Sequence, residues 1–335
     1  MHLSNIVLAG LSAASTVFAA PHLDARWGSG SKANGSNPLG LAQSDLEVLA
    51  FATNLENLEV NFYTLGLSMF NDSDFTAAGF PEGARGRFEQ ILEHELVHVS
   101  LLQSVLGPLA PQPCNYSFPV HQPADMVAIS FALESTGEAA YMGGLQVLQN
   151  KQILTTAASI EGVEARQSSF LSGLNGLAPW YGPFDTPLNM TQVISLASGF
   201  IVSCPSTNFP LVVEPVPALT VTPSFNITVG TNVTVAIGAP DFSPSNFPIV
   251  DTNLTMAPNN APSSGKFLAY FHGGLNVSFS PIAQDNTTTI PAGLAGAVWA
   301  QVVTTDQGFP ELEDTVSGVA MLNIPVPSGA DSSFN

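Results

Sequence analysis

The chain has 335 residues, with 26 Asp and Glu against 7 Lys and Arg and a formal net charge of -19. That balance excludes nucleic acid and anionic membrane surfaces as partners, because both are bound through clustered positive charge. The length suffices for a large core and two domains, and without a phosphate-cradling glycine loop no nucleotide cofactor is expected.

Residues 1–20 read as a signal peptide. Ile6 to Ala20 is small, apolar and uncharged, and Val17-Phe18-Ala19-Ala20 ends in residues that signal peptidase accepts. The run is too short for a membrane span, and no later stretch reaches spanning length without polar interruption. The mature chain is therefore expected to be secreted, extracellular or held at a cell wall. Residues 21–42, rich in Gly, Ser, Asn and Pro, are expected to form a flexible N-terminus.

Residues 43–205 carry helical periodicity. The first helix is predicted over 44–70, with Ser44 as N-cap and Glu47 three residues on, and an inward stripe of Ala52, Glu56, Glu59 and Tyr63. The second, over 82–106, aligns Ile91, Glu95, His98, Leu102 and Val105 before Gly107-Pro108 stops it. The third, over 123–149, aligns Val127, Phe131, Glu134, Glu138, Tyr141, Leu145 and Leu148. The fourth, ending near 174, aligns Ile153, Ala157, Ile160, Glu164, Gln167 and Leu171. A short fifth helix is predicted over 190–202. Glutamate belongs on the solvated side of a helix, so four glutamates at the middle of four inward stripes mark a cation site or its remains.

After Pro205 helical period gives way to Pro, Thr, Val and Asn. Strands are predicted over 225–229, 233–237, 266–271, 275–279, 297–304 and 319–324, with Phe271 and Trp299 filling the core of this part. The predicted fold class is α+β and multidomain: a four-helix bundle with a short fifth helix, followed over 206–335 by a small all-β sandwich, immunoglobulin-like, with a flexible C-terminal tail.

Cys114 and Cys204 are an even pair in an export context and are expected to form a disulfide, tying the fifth helix to the middle of the bundle and contributing on the order of 3 to 4 kcal/mol. Acceptor sequons for N-glycosylation stand at Asn34, Asn71, Asn115, Asn189, Asn226, Asn232, Asn253, Asn276 and Asn286.

In a bundle that holds two metals, one helix pair supplies a Glu each and the other pair a Glu-x-x-His each. Glu56 and Glu134 take the first role, Glu95 and Glu164 the second. His98, three residues after Glu95, lies on the same helical face. Gln167 stands where a second histidine would, and its amide oxygen is a weaker ligand. His94, Glu59 and Glu138 are peripheral candidates. His94 points towards the bundle rim, and the two glutamates towards a solvated groove. Tyr63 and Tyr141 are expected mainly as packing, with donation to the carboxylates as the other role. Iron or manganese, as one or two ions, suits this donor set.

Leu55-Glu56 with Phe62-Tyr63, His94-Glu95 with His98, Leu133-Glu134 with Ala140-Tyr141, Ile160 with Glu164-Ala165-Arg166, Pro183-Phe184-Asp185-Thr186-Pro187-Leu188, and Phe200-Ile201 with Ser203-Cys204-Pro205 together give a resemblance. Over 43–205 the chain resembles the ferritin-like domain of secreted fungal stress and late sexual development proteins, related to plant desiccation-related proteins. The resemblance implies a ferritin-like bundle with ligands at Glu56, Glu95, His98, Glu134 and Glu164, and a stress or developmental role. Such proteins usually carry His at the position of Gln167, so a full di-iron site does not follow from it. Any catalysis would be that of a metal-dependent oxidoreductase. The competing reading is a non-enzymatic extracellular or cell-wall protein with a degenerate metal site, acting on its partner through the β region.

Overall fold

The computed structural model describes residues 39–180, 182–209, 216–223, 227–238 and 265–325. The predicted signal peptide, residues 21–38 of the predicted N-terminus, Asn34, Asn226, Asn253 and the C-terminal tail lie outside them. Four long helices, α1 (Gln43–Met69), α3 (Ala84–Leu106), α4 (Pro123–Leu145) and α5 (Lys151–Leu174), form the bundle. A short α2 (Asp72–Ala77) and α6 (Met190–Ala197) accompany them. None of the described helices is long and apolar enough to cross a membrane.

Helix α1 packs along α3 and α4 along α5, and the two pairs meet through α1 and α4. Helices α3 and α5 bury one stripe each, at Ile91, Glu95, His98 and Leu102, and at Ile153, Ala157, Ile160, Glu164, Gln167 and Leu171. These spacings of three and four residues keep one face inward. In contrast, α1 is buried on nearly every side from Asp45 to Glu59.

The ends differ in places from the sequence reading. Ser44 does not cap α1: the cap is Ala42, without a side-chain hydrogen bond. Helix α2 was not predicted, although Asn71 and Asp74 form its capping box. Helix α4 stops at Leu145 instead of 149. At Gly143 a Cβ would lie 1.8 Å from the Leu188 carbonyl oxygen, because the segment leading into α6 crosses there. The turn into α5 is held by Asp45, whose carboxylate accepts from the Gln149 N–H at 2.7 Å and the Asn150 N–H at 3.2 Å. The predicted fifth helix ends early. After a single turn over Ser198–Phe200 the chain becomes β2 (Ile201–Ser203), paired antiparallel with β1 (Asn115–Tyr116). Cys114 and Cys204 form a disulfide beside this pair, closing a sequence separation of 90 residues.

Two antiparallel sheets follow. One orders β3 (Leu219–Thr222), β4 (Asn232–Ile237) and β7 (Thr287–Thr289); the other orders β6 (Val277–Pro281), β5 (Phe267–Phe271), β8 (Gly296–Val303) and β9 (Thr315–Ile324). Strands β3 and β7 are additional to those predicted, while 227–230 is loop and turn in place of a strand; 225 and 226 fall outside the described residues. The sheets share a core of Val221, Val233 and Val235 against Leu268, Tyr270, Val298 and Ala300.

Strands β5 and β8 are buried on both faces. Their alternate residues Ala269, Phe271, Trp299 and Val303 point away from the sandwich and join the bundle core. Phe271 and Trp299 are therefore buried as expected, but against the helices. Gln301 of β8 accepts from the Gln192 amide of α6 at 3.1 Å, and Ser195 of α6 accepts from the Val319 N–H at 2.9 Å.

Candidate metal centre

Glu56, Glu95, Glu134 and Glu164 are each fully buried, one per long helix. His98 lies among them, its Nδ1 2.9 Å from Glu95 Oε2, 3.2 Å from Glu56 Oε2 and 3.5 Å from Glu164 Oε1. One ligand atom from each of Glu56, Glu95, His98 and Glu164 falls within 4.8 Å of the others, a spacing that a single ion can span. Glu134 stands beside this group and not in it: its Oε1 accepts from the Tyr63 hydroxyl at 2.5 Å.

Tyr141 likewise donates to Glu56 Oε1. Both tyrosines are buried, and both hydroxyls are aimed at carboxylates, so packing is only part of what they do. Gln167 donates its amide N–H to Glu95 Oε1 at 2.8 Å and lies 3.4 Å from His94 Nδ1, while His94 itself is exposed. Glu59, expected to face a solvated groove, is instead buried, with 4 % of its surface exposed. Glu138 is not part of the cluster: its carboxyl interacts with Ser168 and Asp185 on the outer side of the bundle.

Sequence reasoning missed Gly137. A Cβ added there would lie 3.0 Å from both Glu59 Oε1 and Glu164 Oε2. A mid-helix glycine costs about 1 kcal/mol of helix propensity relative to alanine. That cost, one turn after Glu134, was the available signal. The space it leaves lets Glu164 turn one oxygen towards His98 and the other towards Glu59.

Burial dominates the electrostatics. It pushes Glu56 up to about 8, against the lowering effect of His98, and holds Glu59, Glu134 and Glu164 well above the ordinary carboxylate range, with neighbouring carboxylates adding to the rise. Burial lowers the His98 pKa, but the charges and hydrogen bonds of Glu56 and Glu95 outweigh it and carry the ring up to about 10. Among the described residues, no hydrogen bond satisfies Glu134 Oε2, either oxygen of Glu164, or Gln167 Oε1. Buried acceptors of this kind are normally satisfied. Four of them beside a histidine and two further carboxylates fit a cation, and oxygen donors with one imidazole suit iron or manganese.

Residues 44–177 match the family model of the ferritin-like domain. The helical region is ferritin-like. Protein rds1 of Schizosaccharomyces pombe is 30 % identical over 175 residues, which cover 52 % of this chain and 44 % of that protein, so less than half of the relative's length is matched. A conserved hypothetical protein of Mycobacterium tuberculosis, known from a crystal structure, is similar at 17 % identity with a TM-score of 0.35, over 42 % of this chain and 96 % of that one. That likeness is too weak to bear on the fold.

Proposed function

We propose that the ferritin-like region binds one or two iron or manganese ions in its carboxylate core, in a secreted protein with a stress or developmental role. The observation that carries the metal reading is the set of buried acceptor oxygens without donors around His98. Glu56, Glu95, His98 and Glu164 would hold one ion. The free oxygens of Glu134 and Glu164, with Glu59 next to them, favour a second position built from carboxylates.

Bound there, iron or manganese supplies a redox-active Lewis acid. The chain's own residues fix the ligands. Tyr63 and Tyr141 orient Glu134 and Glu56 by donating to one oxygen of each, and Gln167 does the same for Glu95. Loading requires the carboxyls and His98 to release protons.

Export is supported by the apolar leader at 6–20, by the Cys114–Cys204 disulfide, a bond that persists in oxidising compartments, and by the surface positions of Asn71, Asn115, Asn189, Asn232 and Asn276. Asn286, at a positive-φ turn, is half-buried. The stress or developmental role rests on the family resemblance alone.

Elemental analysis of the full chain purified without added metal tests the metal reading. At least one equivalent of iron or manganese is expected, lost in Glu95→Ala and His98→Ala. Metal-free protein whose thermal unfolding responds to neither ion would overturn it.

A further inference from the structure

A second concave site lies outside the carboxylate cluster. A cleft of about 640 Å³ runs between the outer face of α4 and α5 on one side and β8 with the β5–β6 turn on the other, and residues 179–180 and 182–186 close one end. The volume falls in the range of small-ligand sites, about 300–1,000 Å³. None of the cluster carboxylates lines it.

Its walls are held in place. The Gly274 N–H donates to the Asp185 carbonyl at 2.7 Å and the Gly273 N–H to Thr186 Oγ1 at 2.7 Å, so the stretch beside Phe184 is pinned to the β5–β6 turn. Three features of the lining make chemical demands on an occupant. Trp180 and Phe184 line the cleft with 65 % and 67 % of their surfaces exposed, offering apolar ring faces. Glu138 and Asp185 both line the cleft, and their carboxyls offer acceptors. Arg166, exposed on α5, lines the same cleft and offers guanidinium donors.

The occupant must therefore accept one hydrogen bond, donate others and present an apolar face. An ammonium ion is opposed by the Arg166 guanidinium, and an anion by the carboxyls of Glu138 and Asp185. A pyranose ring meets all three demands, because each hydroxyl both donates and accepts and the ring's C–H face stacks on an aromatic plane.

We propose that this cleft binds a neutral oligosaccharide, its rings stacked on Trp180 and Phe184 and its hydroxyls bonded to the Glu138 and Asp185 carboxyls and the Arg166 guanidinium.

Calorimetric titration of the full chain with cellohexaose, laminarihexaose and chitohexaose tests this, with spermidine as a cationic probe. Binding of at least one saccharide is expected. Trp180→Ala, an exposed position whose change leaves the thermal midpoint in place, should weaken it about tenfold or more. Glu138→Gln and Arg166→Gln, the latter losing the charged donor, should weaken it as well. No heat with any of the three saccharides, saccharide binding that all three variants leave unchanged, or tighter binding of spermidine would each overturn the proposal.

Discussion

At Gly137 a single methyl group would meet two carboxylate oxygens at 3.0 Å, one from Glu59 and one from Glu164. Gly137→Ala therefore sets two effects against each other. The helix gains about 1 kcal/mol of propensity, while the carboxylates are pushed off their positions. The expected outcome is a metal-free chain at least as stable as before, with an affinity for Mn²⁺ lowered roughly tenfold, read by calorimetric titration. Gln167→His works in the opposite direction. It frees Glu95 Oε1 and adds an imidazole, so the metal bound per chain should rise towards two equivalents by elemental analysis. The four central glutamates were legible in the sequence because each interrupts an apolar stripe. Burial of Glu59 was not, since it shares the stripe of Glu56 and Tyr63 yet carries a charge that normally turns to a solvated groove. The tyrosine hydroxyls were equally hidden, their partners lying 71 and 85 residues away in the chain.

Among the elements, α4 and the segment before α6 meet at close range. A side chain at Gly143 would overlap the Leu188 carbonyl, which is fixed because the Leu188 N–H donates to Ala139 at 3.0 Å. Gly143→Ala is expected to destabilise the chain by about 1–3 kcal/mol in denaturant unfolding, the usual cost of overpacking. The four long helices could be read from periodicity and from Gly107-Pro108. The strand β2 could not, because three residues become a strand only when β1 is present to pair with them. For the same reason Thr287–Thr289 gave no local sign of being a strand: its pairing depends on β4.

For the whole molecule, the decisive property is that one apolar core runs from the helices through Phe271 and Trp299 into the sheet. Unfolding by heat should accordingly show one cooperative transition by calorimetry, not separate helical and sheet steps. Its pH dependence follows from the buried acids. Glu56 and Glu138 are each raised from 4.5 to about 8 by burial. Between those values the folded chain keeps protons that the unfolded chain has released. Their stabilising effect is thus full below the unfolded value and lost as pH rises through the folded one. The metal-free thermal midpoint should fall between about pH 5 and pH 8, and Mn²⁺ should reverse the slope by taking the place of protons. A midpoint that rises over this interval without metal would contradict the burial of these carboxyls. Reading the sequence separated helical from sheet-forming parts correctly, yet gave no hint that both faces of β5 and β8 would be covered. A buried face can be predicted from an apolar pattern, but the identity of what covers it cannot.

The bond between Cys114 and Cys204 has a topological effect as well. It makes residues 114–204 a closed covalent loop that contains α4, α5 and α6, and with them Glu134, Glu164 and the exposed stretch around Trp180. A protease that cut that stretch would open the loop without releasing either piece. Both halves would stay joined through sulfur and through the packed helices, and the break would show only after reduction. An exposed stretch of the molecule is thereby also one where a single cut releases nothing.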